Sequence, residues 1–244
     1  MKKPEAVLLD LGGTLLHLDY PFVSSEFRRL GWTVEEEPFF QTVARTNRYI
    51  DEVVTTDPSS TDASRWQRFF EFFLNDLNAP IDHAEFIETV LRPRHAEVNL
   101  WNYVLPGTDE VLRELKKEYR LALISNSDGR AGAKAAQYGL REYLEIVVDS
   151  HAVGVEKPDP RIFQITCGRM GVAPSNCVYV GDIYSIDVVG PRAAGILPIL
   201  LDRSMMPRDD CIVLKSLFDV PATLRGLSQG GVGEEGLEPP TSSV

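Results

Sequence analysis

The chain has 244 residues, 43% of them hydrophobic and 25% charged, with a formal net charge of −11. That length can bury one large core or two modest ones, and the acidity excludes non-specific nucleic-acid binding, which needs a basic surface. A small anionic ligand stays compatible, because a cation and local amides can invert the field within one site. No apolar run approaches the ~20 residues of a membrane span. Cys167, Cys177 and Cys211 lack metal-site spacing and read as thiols of a reducing compartment. The apolar part of the N-terminal stretch is too short for a signal peptide, so the cytoplasm is the expected location.

In chain order, Ala6-Val7-Leu8-Leu9 reads as a buried strand delivering Asp10 to the tight loop Leu11-Gly12-Gly13-Thr14. From Leu18 to Asn102 strand alternation is absent. Aromatics recur there at helical spacing, as in Trp66, Phe69, Phe70 and Phe73, then Phe86 and Trp101, with loops at Asp57–Asp62 and Asn78–Asp82. The interval predicts an inserted helical domain whose aromatic stripe is packing core. Arg45, Asn47 and Arg48 lie near one another, as do Arg65 and Arg68; a solvated helix face is favoured over an anion site for both groups. Glu35-Glu36-Glu37 reads as solvated.

Beyond the insert, strand-like runs at Arg120–Ser125, Glu145–Asp149, Cys177–Gly181 and Ile196–Leu201 alternate with helix-like stretches at Thr108–Glu118, Ala131–Tyr138, Pro160–Gly171 and Asp187–Ala194. That alternation signals βαβ units, hence an α/β fold with a parallel sheet. Gln229–Val244, rich in Gly and Pro with little that could pack, predicts a disordered tail.

Four elements fall at strand ends in order: Asp10; Ser125 with Asn126; Lys157 before Pro158; and Asp182, with Asp187 five residues on. Parallel strands aim their carboxyl ends at one crevice, so these residues can converge. The set suits phosphoryl transfer. A carboxylate nucleophile splits a hard hydrolysis into two steps. The Ser125 hydroxyl and loop amides at Gly12 and Gly13 can donate to phosphoryl oxygens, and Lys157 supplies a fixed positive charge. Asp10 and Asp182 are hard oxygen ligands of the kind Mg²⁺ prefers.

Asp10-Leu11-Gly12-Gly13-Thr14-Leu15, Ser125-Asn126, Lys157-Pro158 and Gly181-Asp182-Ile183-Tyr184-Ser185-Ile186-Asp187 resemble the four motifs of the haloacid dehalogenase-like hydrolase superfamily. The resemblance covers residues 1–17 and 103–202. It implies a Rossmann-like three-layer α/β/α core of residues 1–17 and 103–228, an α-helical cap of residues 18–102, and leaves the tail of residues 229–244 outside both. It implies Asp10 as nucleophile, Ser125 and Lys157 as its catalytic partners, and phosphate binding by Gly12, Gly13, Ser125, Asn126 and Lys157. The implied metal set is Asp10, the main-chain carbonyl of Gly12, and Asp182, with Asp187 in support. The cofactor would be Mg²⁺ and the substrate a small organic phosphate, with neither nucleic acid nor membrane as partner.

The departure from the pattern is the side chain of Gly12. Phosphatases of this superfamily carry Asp there to protonate the leaving oxygen and then activate water, and a positioned acid/base contributes ~10²–10⁴-fold. His17, expected in the loop just past the motif, is a candidate substitute because imidazole titrates near neutrality. Asp19 is a weaker one, and a substrate that supplies its own proton is another. A weakly active or inactive binding or regulatory protein is the alternative that Gly12 favours. Phosphonate cleavage through a cap lysine is disfavoured, since no Lys lies between Lys3 and Lys116. Metal-independent dehalogenation is disfavoured too, since it places Tyr at the second acid position.

Overall fold

The computed structural model describes residues 3–57 and 62–228. β1 (Ala6–Leu9) is followed by the two-residue β2 (His17–Leu18) and then by helices α1 (Tyr20–Arg29), α2 (Glu36–Thr56), α3 (Asp62–Asp76), α4 (His83–Phe86) and α5 (Arg92–Val98). A π-helical turn, Ile87–Leu91, joins the last two. β3 (Trp101–Tyr103) pairs antiparallel with β2, so the two strands form a narrow ribbon where the chain leaves the sheet and returns to it. The remainder runs α6 (Thr108–Lys116), β4 (Arg120–Ser125), α7 (Ala131–Gln137), β5 (Ile146–Asp149), α8 (Ser150–Val153), α9 (Pro160–Met170) and β6 (Cys177–Gly181). It continues with α10 (Tyr184–Asp187), α11 (Val189–Ala193), β7 (Leu197–Leu201), β8 (Ile212–Leu214) and α12 (Val220–Ser228).

Six strands form one parallel sheet in the order β5-β4-β1-β6-β7-β8. Every residue of β1 is buried, as expected of a central strand covered on both faces. Its side chains alternate between the two covering layers. Val7 and Leu9 join Leu121, Leu123, Val178 and Val180 beneath α6, α7 and α12. Ala6 and Leu8 join Ala122, Ile124 and Tyr179 against Ile162, Phe163 and Cys167 of α9. The result is the α/β fold with a Rossmann-like three-layer sandwich.

A third apolar cluster lies wholly within Leu18–Leu105 and is built largely from rings: Phe27, Phe39, Phe40, Phe69, Phe70, Phe73 and Phe86. The predicted aromatic stripe therefore packs as core, with Phe39 edge-on to Phe73 at 5.0 Å and Phe27 stacked on Phe86 at 5.2 Å. Among the described residues no helix is long and apolar enough to cross a membrane.

Three features differ from the sequence reading. The expected helix Asp187–Ala194 is two helices broken at Val188, because the Asp187 carboxylate turns back to accept the amides of Asp182 and Ile183, at 3.1 Å each. β8 and the β2–β3 ribbon are too short to show a period-two pattern. His17 is a strand residue rather than a loop residue. Residues 58–61 of the expected Asp57–Asp62 loop, and the Gln229–Val244 tail, lie outside the described residues.

Candidate active site at the carboxyl end of the sheet

β1, β4 and β6 are neighbours, so their carboxyl ends open on one crevice. Asp10, Ser125 and Asp182 stand at or just past those ends, and Lys157 enters from the loop before α9. Asp10, Ser125, Lys157 and Asp187 are all buried. Lys157 Nζ donates to Asp10 Oδ1 at 2.6 Å, to Asp187 Oδ1 at 2.8 Å and to the Tyr179 hydroxyl at 2.8 Å. Tyr179 in turn donates to Asp187 at 2.9 Å. One ammonium is thus fixed by three oxygens, which leaves it no rotational freedom to waste.

Asn126 sets the position of that lysine. Its side-chain carbonyl accepts the Lys157 amide at 2.8 Å, and its Nδ2 donates to the Lys157 carbonyl at 2.9 Å. The sequence reading groups Asn126 with the phosphate binders; the structure spends its side chain on holding Lys157. Ser125 Oγ has only a long contact, 3.5 Å to the Asn126 carbonyl, so its hydroxyl can turn toward an incoming oxygen.

The two loop glycines have opposite reasons to be glycine. Gly13 has φ +78°, and a Cβ there would stand 1.9 Å from Asp182 Oδ2, so no side chain fits. Its amide donates to the Leu16 carbonyl at 2.7 Å, which commits the N–H that the sequence reading offers to phosphate. A Cβ on Gly12 would meet only Trp101, at 3.9 Å. The missing side chain there leaves open space.

Asp10, Asp182 and Asp187 place one carboxylate oxygen each within 4.8 Å of one another. Three carboxylates share one ammonium, and the electrostatics record the imbalance. Burial, opposed by Lys157 and reinforced by Asp187, pushes Asp10 up to about 6. Burial and then the charges of Asp187 and Asp10 hold Asp182 well above the usual carboxylate range. Burial works to lower Lys157, but Asp10 and Asp187 outweigh it and raise the ammonium. Asp182 Oδ1 is buried with no hydrogen-bond partner. An orphaned carboxylate oxygen facing two further acids fits a hard divalent cation, which would reverse the sign of each of these penalties.

His17 lines the same region beside Gly13, Asn47 and Asp182. Burial, then the charge of Arg203, pushes it down to about 4, so its imidazole is neutral near pH 7 and has no proton to give as a cation. Asp19 is committed elsewhere: it caps α1 through the Phe22 amide at 3.0 Å and accepts from Asn102 at 3.0 Å.

Sequence reasoning missed Tyr179, whose hydroxyl sits mid-strand in an otherwise apolar run. It also underrated one face of α2. Asn47 Nδ2 donates to Asp182 Oδ2 at 2.7 Å. Asp51 accepts the amides of Tyr184 at 3.2 Å and Ser185 at 2.8 Å, and the Ser185 hydroxyl at 2.6 Å. Arg48 reaches Asp202 at 3.5 Å and also bonds Ser204. Arg45 instead pairs with Asp76, inside the helical insert. Polar residues at positions 47, 48 and 51 repeat at helical spacing, which was the available signal. Arg68 meets Asp57 at 3.5 Å.

Comparison with known proteins agrees with this geometry. A family model described as a haloacid dehalogenase-like hydrolase matches residues 4–195. The human haloacid dehalogenase-like hydrolase domain-containing protein 3 is 42% identical over 99 residues, which is 40% of this chain and 39% of that protein. Glyceraldehyde 3-phosphate phosphatase of Methanothermobacter thermautotrophicus is 36% identical over 117 residues, 47% of this chain and 52% of that one. Phosphoserine phosphatase of Thermus thermophilus is 29% identical over 232 residues, 83% and 90% of the two chains. The chain spans about half the length, or less, of the first curated relatives it matches, from 39% to 52%. Among solved structures, a HAD phosphatase from Thermococcus onnurineus superposes with a TM-score of 0.54 at 22% identity, covering 91% of this chain and 98% of that one. A 2-haloacid dehalogenase from Pseudomonas syringae gives 0.55 at 23%, covering 92% and 99%. Both reactions occur on this fold, so the likeness speaks to architecture alone. From the matched model and the strand-end constellation together, the chain belongs to the haloacid dehalogenase-like hydrolase family.

Proposed function

We propose that this protein is a Mg²⁺-dependent phosphatase of small organic phosphates that works through an aspartyl-phosphate at Asp10. The observation that carries the reading is the cluster of Asp10, Asp182 and Asp187 around Lys157, with an unpartnered Asp182 oxygen inside it. Relatives named as phosphatases of phosphoserine and of glyceraldehyde 3-phosphate support the substrate class. The catalytic core would be residues 1–17 and 103–228, with residues 18–102 as the cap.

Asp10, Asp182 and the Gly12 carbonyl would hold the cation, with Asp187 in support; bound there, it offsets the repulsion between a carboxylate and a phosphate. The remaining work falls to side chains. Lys157 pins Asp10 Oδ1 and so aims the other oxygen outward. That oxygen forms a bond to phosphorus as the ester oxygen leaves with its electron pair. Ser125 Oγ donates to a phosphoryl oxygen, and Lys157 balances the charge that builds there. Water then takes the phosphoryl group from Asp10, releasing inorganic phosphate and restoring the carboxylate.

Gly12 offers no proton to the leaving oxygen, and neutral His17 is a poor donor. The reading therefore favours substrates whose leaving group is already acidic, or which carry their own proton donor. Asp10, Ser125 and Lys157 are buried, and on this reading α2 would lift to admit substrate.

Phosphate release from a panel of small monoesters in Mg²⁺ tests this. Wild type should turn over at least one compound, and Asp10→Asn should reduce release to background. Activity retained in Asp10→Asn would overturn the covalent route.

A further inference from the structure

Between α2 and the ends of β7 and β8 lies a cavity of about 40 Å³ that continues from Gly13, Asn47 and Asp182 to Arg203 and Lys215. Its lining brings residues of the proposed reaction centre together with two cations, in a chain whose net charge is −11. Phe40, Val43 and Leu201 give it apolar walls between its polar groups. Arg203 lies with its guanidinium 4.9 Å from the Phe40 ring centroid, which fixes the plane of its donors. Among the described residues its hydrogen-bond partner is Glu37, at 2.7 Å; Lys215 approaches the same carboxylate at 3.0 Å. One carboxylate thus answers two cations, and a positive charge is left over. Glu37 comes from the first turn of α2, the helix that would lift on that reading, whereas both cations belong to the sheet-bearing half. Arg203 and Lys215 also lie beyond residue 195, where the family model stops matching, so they are no part of the shared phosphoryl-transfer apparatus.

We propose that Arg203, with Lys215 at the rim, binds a carboxylate carried by the phosphorylated substrate, and that Glu37 holds that place in the substrate-free, closed state. This rests on the phosphatase reading above and names its substrate class: short phosphate monoesters of carboxylic acids. A guanidinium presents paired donors that match the two oxygens of a carboxylate, and Arg203 already donates to one oxygen of Glu37. His17, kept neutral, adds no competing cation between the two anion sites.

The test uses matched pairs of small monoesters, such as 3-phosphoglycerate and glycerol 3-phosphate, with a bisphosphate of similar length as a third arm. Affinities are measured by calorimetry in Asp10→Asn with Mg²⁺, which prevents turnover, with and without Arg203→Met. The carboxylate member should bind more tightly, and Arg203→Met should cost it about ten- to a hundredfold more affinity than it costs the neutral member. Arg203→Lys should recover part of the loss, and Glu37→Gln should tighten the acid by removing its competitor. Equal losses for acid and neutral members would overturn the proposal, as would preference for the bisphosphate. If the binding difference appears but wild type releases no phosphate from any ester, the phosphatase reading fails and the carboxylate site stands.

Discussion

In the sheet-bearing half Asp10, Ser125, Lys157 and Asp187 are among the buried polar groups and gather at one crevice; in the helical half the core is rich in rings, Phe27, Phe39, Phe70 and Phe73 among them. The first arrangement is costly for folding, because three carboxylates crowd one ammonium, which marks it as the candidate site for chemistry. The second is ordinary packing and carries no chemistry of its own. On the proposed function its contribution centres on the polar residues that α2 turns toward the sheet, Glu37, Asn47, Arg48 and Asp51. On that reading reactivity would lie in the core's interior and specificity at the seam of the insert.

Four groups of experiments would break or sharpen that contrast. The largest effect is expected at position 12. Gly12→Asp should raise the rate of phosphate release by ~10²–10⁴-fold, since the site lacks only a positioned acid and a Cβ fits there. Gly12→Ala should fold normally without the gain. An unchanged rate in Gly12→Asp would mean that another group already moves the proton.

Next in size is the aromatic core. Phe73→Ala should cost about 3–5 kcal/mol in urea unfolding, because Phe73 is fully buried against Phe39 and Phe69. If the insert is a separate folding unit, the loss should appear as an early transition that spares the sheet. A single cooperative transition would count against the proposed division at residues 18–102.

Magnesium should stabilise the other half. At a hundred times its dissociation constant it should add about 2.7 kcal/mol, seen as a rise in Tm. Asp182→Asn should remove most of that rise, and a rise that survives the substitution would place the cation elsewhere.

The seam is expected to give the smallest effect. Asp51→Ala removes three hydrogen bonds that tie α2 to Tyr184 and Ser185, and should cost about 1–2 kcal/mol. KM should rise with kcat little changed, since Asp51 touches no reacting group. A fall in kcat with unaltered KM would argue that α2 does more than close.

The two halves were also unequally legible. Asp10, Ser125 and Asp182 could be placed because each follows an apolar run, and parallel strands must aim their ends at one crevice; Lys157, in the loop before α9, was marked only by its motif. Asn126 was visible, but its work on the Lys157 backbone depends on a loop geometry that no spacing encodes. Tyr179 hid because one hydroxyl in a fully buried strand looks like core. Asn47 and Asp51 hid for a different reason: a polar stripe on a helix is the same whether it faces water or another domain, and only the tertiary placement of α2 decides. His17 could be located near the loop, but its low basicity comes from burial and from Arg203, far away in the chain.

The open space at Gly12 has a consequence for the history of the chain. Where a backbone turn or a neighbouring atom forbids a side chain, as at Gly13, glycine is retained by folding, whatever the protein does. No such compulsion acts at Gly12. A Cβ there meets only Trp101, so the fold leaves room for a side chain to begin. On the proposed function, glycine there suits an ester that needs no donated proton.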